Sequence, residues 1–201
     1  MKLFMKKLIL VLFVLCIVSA ASAQIQFGVK AGLNFSNLTT SGLSFVQGAS
    51  FSSRTNFNAG VVVSLPLFSS FYLQPELMYS GQGQNTSNPM NKGTIIFNYL
   101  SLPVLFKYQH ASGIFAQTGP QIGFLLSAKE KADGYAPIDL NECHSIDFSW
   151  AFGIGYKLHY IPIGIDLRYN LGLTNIYKNT PGGYAKNSVF QFDIFYLFGG
   201  K

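Results

Sequence analysis

Asp139, Glu142, Cys143 and His144 fall within one short stretch of the chain, and all four side-chain types can ligate a metal ion. Adjacent residues rarely both reach one ion, and no second Cys or His follows at ligand spacing, so this stretch reads as a solvated loop and no metal site is assigned. Hydrolysis would need a nucleophile, a histidine and an orienting acid at one place. The histidines are His110, His144 and His159, and the element assignment below sends His110 and His159 to one end of the molecule and His144 to the other. A non-enzymatic protein without a cofactor is expected. The remaining candidate chemistry is electrostatic. Lys30, Lys107, Lys157 and Arg168, with Glu76, Asp147, Asp166 and Asp193, punctuate stretches otherwise rich in Gly, Ser, Gln and Asn.

The elements that position these charges follow from the ends and the composition. Lys2, Lys6 and Lys7 precede an apolar run from Leu8 to Val18 and the small residues of Ser19 to Ala23, the plan of a secretory signal peptide with cleavage expected before Gln24. Cys16 lies inside the apolar run, so lipidation there is not expected. Residues 24–201 then form one domain, with a formal charge of +3 once the three leader lysines are removed. That small excess, with no Lys/Arg cluster interleaved with aromatics, argues against nucleic acid as a partner. Cys143 is the one cysteine outside the leader, so no intramolecular disulfide is expected in the mature chain. The composition is 49% hydrophobic and only 11% charged, against roughly 25% charged in soluble globular proteins. Yet no stretch beyond the leader reaches the apolar length of a membrane helix, which leaves a closed barrel as the way to span lipid.

Period-two alternation supports that inference throughout. Ile25, Phe27, Val29, Ala31, Leu33 and Phe35 share one face against Gln26, Gly28, Lys30, Gly32, Asn34 and Ser36. The pattern returns over Phe57 to Leu65, where Val62 is an apolar intruder on the polar face, then over Phe71 to Gln82, Ile95 to Tyr108, Ile114 to Leu126, Phe148 to Leu158, Ile163 to Leu173 and Phe190 to Phe198. Pro75 weakens the third segment without disqualifying it. Eight segments of this length suit tilted strands crossing a bilayer. Long connections (37–54, 83–93, 129–145 and 175–188) alternate with short ones (67–70, 109–113 and about 161–162), as expected for an all-β, eight-stranded, antiparallel up-and-down transmembrane barrel with its termini in the periplasm.

The polar face decides against a soluble barrel. A solvent face usually carries many Lys, Glu and Thr, whereas this one is small and amide-rich, suited to a narrow interior. The eight charges from Lys30 to Asp193 then lie in the lumen, four of each sign, as a structural network able to pair in confinement. An eight-stranded barrel is just wide enough for side chains to fill it, so Glu76, Lys107, Asp166 and Arg168 read as a plug more readily than as an ion path. Aromatics such as Phe27, Phe57, Phe71, Phe148, Tyr156 and Tyr196 lie near strand ends, as in interfacial girdles.

The segments FGVKAGLNFSNL, FYLQPELMYSGQG, YLSLPVLFKY and IDLRYNLGLTNIY, followed by an aromatic-rich end, resemble the PorT-like outer-membrane β-barrel family of Bacteroidetes over nearly all of residues 24–198. The resemblance implies a cell outer-membrane location and, since founding members are implicated in secretion across the outer membrane, a place in a protein-export or surface assembly. It supplies no catalytic residue. The expected partners are outer-membrane lipid around a monomeric barrel and a protein bound by the long outer loops, where Phe45, Phe51, Tyr135, Tyr177 and Tyr184 stand among Asn, Ser and Gly.

Overall fold

The computed structural model describes residues 25–42, 49–88, 91–179 and 181–199; the expected leader and Phe45 lie outside them. The described residues form nine strands: β1 (Gln26–Ser41), β2 (Ser50–Phe68), β3 (Phe71–Ser87), β4 (Lys92–Gln109), β5 (Ile114–Ala132), β6 (Ile138–Asp139), β7 (Ile146–Lys157), β8 (Ile163–Gly172) and β9 (Tyr184–Phe198). Eight of them close a ring. β1 to β5 pair in order, β5 then pairs with β7, and β8 and β9 lead back to β1, all antiparallel. The two-residue β6 adds to the outer end of β5 through Lys129 and Glu130. Closure leaves no unpaired edge around the wall, the condition for strands to stand in hydrocarbon.

Alternation sets the faces as anticipated. Leu33, Phe57, Val61, Val104, Phe152, Ile165 and Ile194 project outward and are exposed, while Lys30, Asn34, Asn58, Glu76, Lys107, Asp166, Arg168 and Asp193 are buried inside. A soluble barrel has the reverse arrangement. Outward polar atoms are paired within the wall: Trp150 Nε1 donates to Thr118 Oγ1 at 2.8 Å, and Thr118 Oγ1 donates to the Ala151 carbonyl at 2.9 Å. At the end bearing the termini, Phe71 stacks on Phe106 with centroids 5.3 Å apart and meets Phe68 at 4.9 Å. At the opposite level, Phe57 stacks on Tyr79 at 5.1 Å. These rings form two girdles.

The strands run further outward than hydrophobic alternation predicts. β1 continues to Ser41, β2 begins at Ser50, β3 runs to Ser87, β5 reaches Ala132 and β9 begins at Tyr184, so much of the expected long loops is hairpin. These extensions are rich in Ser, Thr and Asn and are held largely by cross-strand pairing, as in Thr39 opposite Lys186 and Asn85 opposite Thr94, with Leu38 and Ala185 the buried apolar exceptions. The β2–β3 ladder is interrupted between Ser53 and Asn58. There, inward side chains take over the wall: Asn34 donates to the Gly81 carbonyl at 2.8 Å, Arg54 to that of Gln82 at 2.9 Å and Ser36 to that of Gly83 at 2.9 Å. Gly83, at φ 131°, occupies a backbone conformation that favours glycine.

Candidate functional site

The interior is stacked in layers, because the tilt and register of the ring bring residues far apart in sequence to one height. Nearest the termini, Val62, Phe115, Phe195 and Leu197 form an apolar cluster. Two glycines make room for its rings: a Cβ on Gly155 would collide with Phe115, and one on Gly164 with Phe195. Lys107 rests on this layer, its Nζ 3.8 Å from the Phe115 ring centre and 5.2 Å from that of Phe195, an arrangement in which the ring faces attract the ammonium. The same Nζ donates to Gln74 Oε1 at 3.3 Å, and Gln74 Nε2 donates to Glu76 Oε1 at 2.8 Å.

Above this lies the ionic layer. Arg168 grips Glu76 through both terminal nitrogens, at 2.8 and 2.9 Å, and its Nη2 also reaches Asp166 Oδ2 at 2.8 Å. Asp166 and Asp193 stand directly opposite each other on β8 and β9, a placement that repels unless a cation intervenes. Lys30 is that cation: it pairs with Asp166, with Glu76 at 3.3 Å and with Asp193 at 3.5 Å. Gln117 adds donors to both Asp166 oxygens at 2.8 Å. All five charged groups are almost fully buried, so each depends on its partners for the solvation it has lost.

An amide layer follows. Asn34 Oδ1 accepts from Asn58 and Gln191, each at 2.8 Å, and Asn58 also donates to Asp193 at 2.8 Å. The outermost layer is again apolar and aromatic: Leu38, Phe97, Tyr99, Ala128, Cys143 and Ile176 pack together. Over them, at the outer mouth, a 240 Å³ cavity is bordered by Leu38, Phe51, Ile95, Tyr177 and Ala185, with Gln84 and Glu130.

The eight charges inferred to line the lumen do not form one network. Lys30, Glu76, Asp166, Arg168 and Asp193 converge, and Lys107 joins them through Gln74. Lys157 stands apart near the termini, half-buried, with its Nζ 3.4 Å from Gln26 Oε1. Asp147 stands apart near the outer mouth, taking Thr174 Oγ1 at 2.6 Å and Asn187 Nδ2 at 3.2 Å. Strand parity gives the inward face but not the height, and height separates these two from the rest.

The expected solvated loop also divides. Cys143 is buried in the outer apolar layer, where burial pushes its thiol up from the ordinary range. It lies there because its backbone bridges to Tyr177, whose phenol is pushed up to about 12 by burial and by neighbouring Cys143 and Glu130. Asp139 turns outward to Lys129 at 3.8 Å, Glu142 accepts from Asn179 at 2.8 Å, and His144 is exposed. These four side chains therefore share no centre. His110 and His159 lie at the far end by the short turns, His110 Nδ1 being 2.9 Å from Ser112 Oγ and His159 Nε2 2.8 Å from the Ala111 carbonyl.

Sequence reasoning missed the lumen-facing rings Phe97, Phe115 and Phe195 and the inward Leu105, all buried. The available signal was local loss of alternation: Ile96-Phe97, Ile114-Phe115-Ala116 and Ile194-Phe195-Tyr196 put apolar side chains on both faces, the pattern of a strand buried on two sides.

A sequence model of the family described as "Outer membrane protein beta-barrel domain" matches residues 20–178. No curated protein matches the sequence. Solved structures similar to the fold include Ail, the attachment invasion locus protein of Yersinia pestis, at 14% identity and TM-score 0.47, covering 86% of this chain and 98% of that one. OprG of Pseudomonas aeruginosa follows at 9% identity and TM-score 0.46, covering 87% and 96%. AlkL, solved in lipid bilayers, has 15% identity and TM-score 0.37, covering 86% and 90%.

Proposed function

The chain belongs to the outer membrane protein β-barrel domain family, and from that premise we propose that it is a non-enzymatic barrel with a closed lumen, serving as a binding component of the cell surface. The observation that carries this reading is the stacking of apolar, ionic, amide and aromatic layers across the interior, from Phe115 and Phe195 to Phe97 and Tyr99. A ring of eight strands has room for such a filling and little else. With the lumen blocked, the surface left for function is the outer end, where β1–β2, β3–β4 and β5 extend beyond the Phe57–Tyr79 girdle. The four quoted segments further support placing it among PorT-like barrels, with a role in an export or surface assembly and a monomeric barrel held by lipid. Separation of His144 from His110 and His159 supports the non-enzymatic reading.

Planar-bilayer recording tests the closed lumen. The protein is expected to give no stable single-channel steps. A narrow channel is the second reading, favoured by buried polar atoms without a protein partner, among them Ser101 Oγ, Gln117 Oε1 and Ser149 Oγ, since such atoms in folded proteins are ordinarily met by water. Reproducible ion-selective steps that vanish on Gln117→Leu would establish that reading and refute the closed lumen.

A further inference from the structure

We propose that the outer-mouth cavity is a binding site for a small uncharged aromatic molecule carrying one N–H or O–H group. This rests on the reading of the barrel as a surface binding component and gives that component a ligand class. The cavity measures 240 Å³, and a dry apolar cavity of about 150 Å³ accepts benzene, so a one- or two-ring body fits. Its apolar walls include Leu38, Phe51, Ile95, Tyr177 and Ala185, of which Leu38, Ile95 and Tyr177 also pack in the outer apolar layer. Apolar walls with a few placed polar groups are the usual build of a small-molecule site.

Among the polar groups of the lining, which also include Thr40, Thr86 and Asn88, Gln84 and Glu130 select the head of the ligand. Gln84 is 3% exposed and borders the cavity. It offers both an acceptor and a donor to whatever enters. Among the described residues Glu130 is the one charged side chain of the lining, so the rim favours a donor and repels a carboxylate or phosphate. Fatty acids and anionic headgroups are thereby selected against. A neutral ring with a donor fits both groups.

The site also adjoins the interruption in the β2–β3 ladder. Gln84 pairs with Ser53 at the outer edge of the interrupted β2–β3 ladder, where the carbonyls of residues 81–83 accept from the side chains of Asn34, Arg54 and Ser36. Side-chain bonds there allow the cavity wall to adjust without opening a continuous ladder.

The experiment uses the whole barrel in lipid nanodiscs with methyl-labelled Leu, Ile and Ala, titrated with indole and separately with naphthalene. Saturable shifts are expected at Leu38, Ile95 and Ala185 and not at the lipid-facing Leu33 and Ile194. Thr40→Trp, on the lining, should abolish them. Gln84→Leu should weaken indole by about fivefold, the worth of one neutral hydrogen bond, and leave naphthalene unchanged. Shifts that never saturate, or that match those at Leu33 and Ile194, mean partition into lipid and overturn the site. An unchanged indole affinity in Gln84→Leu overturns the head-group assignment even if Thr40→Trp fails to fold. Bilayer recording on the same preparation separates the two proposals: a silent barrel that ignores indole sinks this inference alone, whereas a conducting one sinks the closed-lumen reading beneath it.

Discussion

Replacing Arg168 by Met removes two charge-assisted hydrogen bonds to Glu76 and one to Asp166 while keeping an unbranched side chain of similar reach. The loss is larger than the bonds themselves. Glu76, Asp166 and Asp193 would remain buried with Lys30 as the single direct cation, and stranding a buried charge by removing its partner costs about 3–5 kcal/mol. At a urea m value of about 2 kcal/mol per molar, the unfolding midpoint should fall by about 2 M. Trp150 is the single tryptophan and lies on the lipid face, so its emission reports folding into vesicles directly. The decisive measurement is the double variant Glu76→Gln with Arg168→Met. Neutralising both partners should recover much of the loss, because the pair is costly to break and far less costly to remove whole. A single-variant cost below about 1 kcal/mol, the worth of an exposed pair, or strict additivity in the double variant would refute the view that these groups solvate one another in a dry interior.

Gly164→Val should destabilise the barrel by about 1–3 kcal/mol through overpacking against Phe195, and Phe195→Ala in the same chain should relieve part of it; urea titration checks both. Ile194→Lys, in the middle of the outward face of β9, should cost about 2–4 kcal/mol, whereas Tyr184→Lys at the outer end of the same strand should cost about 0–1 kcal/mol; equal costs would contradict the position of the lipid band. Cys143, buried and with its thiol pushed up, should react with a water-soluble maleimide far more slowly in the folded barrel than after denaturation, and mass spectrometry at fixed times follows the difference.

Much of the architecture was legible in the chain because it depends on local repetition. Phe148, Trp150, Phe152 and Ile154 alternate with Asp147, Ser149, Ala151 and Gly153, and strand geometry alone sends the two sets to opposite faces. An outward face without charge then demands lipid. The outer ends of the strands were not legible, since Phe51 stands alone among Ser50, Ser52 and Ser53, and Asn85–Ser87 opposite them are polar, so neither segment shows a period-two apolar face and their pairing follows from strands already in register.

What the sequence determined by itself was inwardness: Lys30, Glu76, Asp166, Arg168 and Asp193 had to face the lumen by parity. Only ring closure decided which of them meet. Lys30 lies 46 residues from Glu76 and 136 from Asp166, and no local pattern encodes their common height. That height is set by the stagger of every strand pair around the barrel, the same accumulated register that leaves Asp147 and Lys157 at opposite ends and lays Lys107 on Phe115.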